Sequence, residues 1–327
     1  MLIPLPGLVH RARQPSAGAG RSPAGVALLT LQALALVVLA ATVATKSWQQ
    51  HIWFGWLLVA VTCFIWSPEL RRSRDRRWWL LYVAGIFVYT LLRSYADDTG
   101  MPIQAPYVIH IDHFLFFGND PTVWLQQHLF STSRVTALDI LAVQVHWSFF
   151  VAPHAAAVLI FFWKRQLFPR YVLVVVGTMY AALAVFFVAP TAPPWLAARE
   201  GLLPGAFRVM DFVGGKVNGD AYRSLSSSLG EPNPVAAMPS VHMAVTFAMY
   251  LWVRDYEPRI APWLLAYCVV MGLALVYLAE HYVVDLGAGV LCALICHLSV
   301  RHFAAVPEPA AAAGALPRPA TGAPVEA

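Results

Sequence analysis

Residues 235–253 read VAAMPSVHMAVTFAMYLWV. The stretch starts as a loop with proline and serine and ends as an unbroken apolar run, and His242 stands at the join. An apolar run of this length that follows a helix-start signal reads as a helix. The question it raises is whether that helix lies in a protein core or in a bilayer.

The rest of the chain answers for the bilayer. Of 327 residues, 59% are hydrophobic and 12% are charged, about half the charge of an ordinary soluble domain. The apolar residues fall in blocks long enough to cross a membrane. Eight spans fit the pattern, at about 24–45, 50–67, 78–95, 137–163, 170–190, 239–254, 261–279 and 282–301. The expected fold is an all-α integral membrane protein with about eight transmembrane helices. It divides into two accessory helices over 24–67 and a six-helix core over 78–301, flanked by disordered tails at 1–23 and 305–327. The first apolar block is expected to be a retained helix, because no small-residue cleavage site follows it.

The net charge of +5 does not point to nucleic acid. The basic residues sit in short runs between apolar blocks, as in RRSRDRR at 71–77, where they set topology. Placing the N-terminus in the cytoplasm puts most of the 22 basic residues on the inner side, so both termini are expected inside. The expected location is the plasma (inner) membrane. The four cysteines all lie in apolar blocks and imply neither disulfides nor a zinc ribbon.

Two outer loops are long. Residues 110–130, HIDHFLFFGNDPTVWLQQHLF, mix aromatic and polar groups and suit an interfacial or re-entrant helix. His110, Asp112 and His113 fit such a loop better than a metal site. Residues 191–238, entered through PTAPPW at 190–195, are neither charged nor uniformly hydrophilic, which implies a loop folded over something. His146 and His154 are expected to bond neighbouring helices, and tryptophans such as Trp78, Trp79 and Trp147 to form interfacial belts.

The chemistry gathers at two places. Pro239 suits the first turn of the helix. Ser240 and the open amides beside it then offer a phosphate site, with His242 in the same turn. The second place is YLAEHYVVDLGAGV, 277–290. His281 and Asp285 share one helix face at i, i+4. A carboxylate on one imidazole nitrogen fixes the tautomer and frees the other nitrogen as nucleophile or base. The helix from Pro239 runs inward, the next runs outward, and His281 opens the last inward helix. Both histidines are therefore expected at the outer membrane level.

MPSVH (238–242) and HYVVD (281–285), their histidines 39 residues apart, resemble the second and third motifs of the type 2 phosphatidic acid phosphatase superfamily. With PTAPPW they resemble the branch that includes inositol phosphorylceramide synthases. The resemblance covers about 78–301. It implies a metal-independent phosphatase or phosphotransferase without cofactor, acting on a lipid phosphate or phospholipid headgroup. His281 would attack phosphorus, Asp285 would stabilise the imidazolium, and His242 would protonate the leaving oxygen and then deprotonate water or an alcohol. The branch tilts the expectation toward transfer of an inositol phosphate-like headgroup, with an alcohol or inositol-type molecule as acceptor. The alternatives are a polyprenyl diphosphate or phosphatidate phosphatase, or a non-catalytic transporter or scaffold.

The chain departs from the superfamily pattern in two places. Ala274 and Leu275 stand where the third motif carries Ser-Arg, and the first motif's Lys and Arg-Pro are not recognisable. The cations expected to hold the phosphate beside Ser240 are Arg93, Arg199, Lys216 and Arg223.

Overall fold

The computed structural model describes residues 76–93, 95, 100–217, 219 and 235–303, with single positions at 30, 33 and 37. The expected spans at 24–45 and 50–67 and both tails lie outside the described residues. The chain divides into two compact units, Met1–Arg77 and Trp78–Ala327, and the second carries everything below.

The regular secondary structure among the described residues is helical. In chain order the helices are α1 Arg76–Arg93, α2 Pro106–Leu115, α3 Pro121–Leu129, α4 Ala137–Ser148, α5 Ala152–Trp163, α6 Phe168–Val188, α7 Pro194–Arg199, α8 Val241–Tyr256, α9 Ala261–Tyr277 and α10 Val283–Phe303. A short helical segment also covers 209–217. Among the described residues there is no strand. Thr191 makes isolated bridges to Gln104 and Ala236 and nothing more.

Helix starts are set by local chemistry. Proline occupies the first or second position of α2, α3, α5, α6, α7 and α9, where its missing N–H costs nothing. At α4, Thr136 and Asp139 form a reciprocal capping box. Two helical segments, Arg165–Val188 and Val283–Phe303, are long and apolar enough to cross a membrane. The span expected at 137–163 is instead a pair, α4 and α5, bent by 48°. Pro153 explains the break, since it has no amide to donate and disfavours helix at the residue before it. The carbonyl of Pro153 accepts the hydroxyls of Tyr82 and Tyr171, at 3.2 and 2.7 Å.

Helix α8 is the hub and packs on α6, α9 and α10. Its closest approach is to α10 at Gly289, where an added Cβ would stand 2.4 Å from the carbonyl oxygen of Ser240. Between membrane helices, close backbone contact of this kind replaces the hydrophobic effect as the source of cohesion. Trp79 is not a belt residue. It is 5% exposed and stacks among Phe161, Phe168 and Tyr82, because this face of α1 turns to α5 and α6.

The described parts of the two long loops fold over one end of the bundle. Helices α2 and α3 lie against α10 and α9 respectively. Gln126 of α3 donates to the carbonyls of Tyr277 and Phe207 at 2.7 and 2.8 Å. The PTAPPW segment is buried, and Thr191 links the chain before α2 to the chain before α8.

Candidate functional site

Ser240, not Pro239, is where helix α8 begins. The Ser240 hydroxyl accepts the Met243 amide at 3.3 Å as the N-cap, so Pro239 stands ahead of the first turn. Ser240 is fully buried rather than facing outward. Its own amide donates to the backbone carbonyl of Asp285 at 3.0 Å, a contact that Gly289 permits one turn further along α10. The starts of α8 and α10 are thus joined backbone to backbone. Among the described residues no acceptor takes the amides of Val241 and His242.

This junction brings three predicted residues into one line. His242 Nδ1 lies 3.2 Å from His281 Nε2. His281 Nδ1 lies 3.4 Å from Asp285 Oδ2, at the long end for a hydrogen bond. Asp285 Oδ2 also accepts the Tyr282 amide at 2.9 Å. The carboxylate requires a proton on His281 Nδ1, which leaves Nε2 with a lone pair. Nε2 is therefore the acceptor from His242, and His242 Nδ1 carries the proton. The line can serve as hydrogen-bond donor, acceptor and orienting carboxylate. It is almost dry, with His281 5% and Asp285 0% exposed.

The environment of His242 holds groups to which the sequence assigned no chemistry. The ring of His146, from α4, lies 4.7 Å from that of His242. The Phe149 ring, in the break between α4 and α5, lies at 4.5 Å. No local pattern marks either position, since the contact depends on the bend. His154 does bond a neighbouring helix, through the Tyr82 hydroxyl at 3.0 Å.

The predicted cations are spread out. Arg93, half-buried at the end of α1, is near enough for its charge to act on His242. Arg199 is exposed and lies 5.9 Å from the Trp195 ring centroid. Lys216 is exposed beside Phe212, and Arg223 lies outside the described residues. A different arginine reaches the site's edge. Arg208 pairs through Nε and Nη2 with Glu280, at 3.0 and 3.4 Å, next to His281 in the chain. It also covers the Trp195 ring at 4.2 Å. Sequence reasoning passed over Arg208, whose signal is the adjacency of Glu280 to His281 combined with the buried tryptophan of PTAPPW.

The HIDH residues diverge. His110 is exposed, His113 pairs with Asp120 at 2.8 Å, and Asp112 turns inward to α10. Among the described residues no cluster of three or more His, Cys, Asp or Glu side chains is arranged to hold a metal ion.

Beside the line of three residues runs an apolar groove of about 590 Å³. Its walls include Trp124 and Leu125 of α3, Leu273 and Val276 of α9, and Met243 and Leu286, which neighbour His242 and Asp285 in the chain.

Comparison with known proteins gives two findings. The sequence matches the PAP2 superfamily over residues 106–299. It is also 30% identical over 111 residues to the inositol phosphorylceramide synthase catalytic subunit of Schizosaccharomyces pombe, a match covering 33% of this chain and 26% of that protein. No solved structure matches.

Proposed function

The chain belongs to the PAP2 superfamily, and from that premise we propose that it is a membrane phosphotransferase that moves a phosphoryl-containing headgroup from a lipid donor to an alcohol by way of a phosphohistidine. The observation that carries this reading is the line His242–His281–Asp285 at the joined starts of two helices. The chemistry follows from the tautomers. The lone pair on His281 Nε2 attacks phosphorus and the bond to the leaving oxygen breaks. His242 Nδ1 gives its proton to that oxygen. Asp285 stabilises the imidazolium ring that the attack creates. In the second half, His242 takes a proton from the incoming hydroxyl, the new P–O bond forms and the P–N bond breaks. The nitrogens of His242 and His281, 3.2 Å apart, leave no room for phosphorus between them, so the His242 ring turns aside when substrate arrives.

The amides of Val241 and His242 suit the phosphoryl oxygens, as open amides at a helix start do, with Arg93, whose charge acts on His242, and Arg208, paired with Glu280 beside His281, as the accompanying cations. Ser240 supports this cradle as its cap. The groove takes the lipid's apolar chain. Burial of the site favours transfer over hydrolysis, because water is kept from the phosphohistidine. The partial likeness to a synthase leans the same way and suggests that the group moved resembles inositol phosphate. The arrangement is proposed to sit at the extracytoplasmic face of the plasma (inner) membrane, in a fold of eight spans with both termini cytoplasmic. A phosphatidate or polyprenyl diphosphate phosphatase is the same site with water as acceptor.

The test uses detergent-solubilised protein and phospholipid donors carrying a radiolabelled phosphoryl headgroup, with and without an added lipid alcohol as acceptor. Product lipid and free phosphate are counted against a His281→Ala control. The reading expects label in a new product that His281→Ala abolishes. Equal turnover in wild type and His281→Ala overturns it, as does no turnover in either, the result expected of a transporter or scaffold.

A further inference from the structure

The carboxylate of HIDH takes no part in the steps above, yet it is tied directly to the site. Asp112 is 2% exposed and reaches from α2 to the start of α10. Its Oδ2 accepts the Val283 amide at 2.8 Å and its Oδ1 accepts the Val284 amide at 2.9 Å. These are the first two residues of α10, whose amides have no acceptor within the helix. The amide just before them, that of Tyr282, goes to Asp285. Two carboxylates thus share one helix start, where the helix dipole favours negative charge.

We propose that Asp112 is a positioning residue, a clamp from α2 on the two amides of α10 that fixes the turn carrying His281 and Asp285. The inference rests on the reading of the site given above. His281 stands two residues before α10 and Asp285 stands in its first turn, so any shift of that turn moves both partners of the His281–Asp285 contact. At 3.4 Å this contact has no slack. The clamp has a defined pH range. Holding two N–H groups takes both oxygens as acceptors, and protonation turns one of them into an O–H. Burial pushes the Asp112 pKa up from 3.8 to about 6, against the pull of its two amides. The other ionisable groups acting on it are Asp285 of α10 and Asp120 beyond α2, with Tyr282 from the turn before α10. The clamp weakens as pH falls through about 6, and turnover falls with it.

The experiment compares the full chain in detergent with Asp112→Asn, Val283→Pro and the double variant. Turnover of the phospholipid donor with the lipid alcohol acceptor of the transfer assay is followed from pH 4.5 to 8.5, with melting temperatures alongside. Val283→Pro removes one donor at a helix position that accepts proline and leaves the carboxylate intact. Each single variant is expected to lower kcat about 10–100-fold with KM within about threefold, as small misplacements of reacting groups do. The double variant is expected to fall no further than the worse single, and Asp112→Asn is expected to lose the acid limb near pH 6. The proposal is overturned if Asp112→Asn keeps kcat within about twofold of wild type or keeps that limb, or if the two losses multiply. Should Asp112→Asn fail to melt cooperatively, Val283→Pro decides alone, and kcat within about twofold of wild type overturns the proposal. A wild type that turns over beside unaffected variants removes only this inference. A wild type without turnover removes the reading of the site, and the inference with it.

Discussion

The proposed division of labour between the two histidines separates them experimentally. A general acid matters only when the leaving oxygen needs a proton, whereas a nucleophile matters always. With a lipid phosphate, His242→Ala is expected to lower kcat about 10²–10⁴-fold. With p-nitrophenyl phosphate, whose leaving group needs no proton, most of that first-step loss is expected to vanish, while His281→Ala stays inactive on both. Burst kinetics and acid-labile protein label are the measurements. Asp285→Asn tests the tautomer assignment. An amide N–H facing Nδ1 would force the proton onto Nε2, so a loss of about 10³–10⁴-fold with unchanged melting is expected. Asp112 adds a stability signature of known sign. Its folded pKa, about 6, exceeds the ordinary 3.8, so its stabilising effect is full below about pH 4 and is lost as pH rises through about 6. The melting temperature of wild type minus that of Asp112→Asn is therefore expected to fall across that window, the reverse of the trend in activity. At this scale the pairing of His281 with Asp285 was legible from their spacing, although the expected shared helix face is corrected: α10 begins at Val283, and His281 meets Asp285 from the turn ahead of the helix. The contact of Asp112 with Val283 and Val284, 171 and 172 residues away, leaves no local trace.

Among the described residues, helices were legible wherever an apolar block was long, but how two of them meet was not. Gly289 reads as one small residue in LGAGV, no different from Gly287. In the structure, a Cβ at Gly289 would press on the Ser240 carbonyl at 2.4 Å and the Ala244 amide at 3.2 Å, while nothing lies within 4 Å of one at Gly287. A backbone neighbour cannot swing away as a side chain can. Gly289→Ala is expected to push the start of α8 off α10, costing about 1–3 kcal/mol as overpacking does, and to lower kcat by separating His242 from His281. Gly287→Ala is expected to leave activity unchanged and melting equal or slightly higher, since alanine favours helix. Parallel melting curves and turnover on both variants check this, and equal effects at the two positions would remove the explanation. The bend between α4 and α5 was hidden for a related reason. Pro153 marks a break in a block that remains apolar on both sides, but the direction of the bend, which sets His146 and Phe149 against His242, depends on packing and leaves no mark in the sequence.

Across the whole molecule, the membrane character and the superfamily could be read from composition and from two short motifs, because a bilayer constrains composition more strongly than it constrains packing. The apolar groove could not, since its walls come from α3, α8, α9 and α10 together. Its place beside Met243 and Leu286 makes chain length a whole-molecule property of the reaction. Leu273 is 58% exposed, so a larger side chain there can be accommodated without disturbing the bundle. Leu273→Trp is expected to fill part of the groove and to lower kcat/KM for dioleoyl substrates about tenfold, the weight of roughly two buried methylenes at about 0.8 kcal/mol each. Dihexanoyl substrates, too short to occupy the filled part, are expected to be turned over as in wild type. An equal loss on both chain lengths would mean that tryptophan disturbs the histidine line instead. No loss on either would place the lipid chain elsewhere, with the groove filled by bulk membrane lipid.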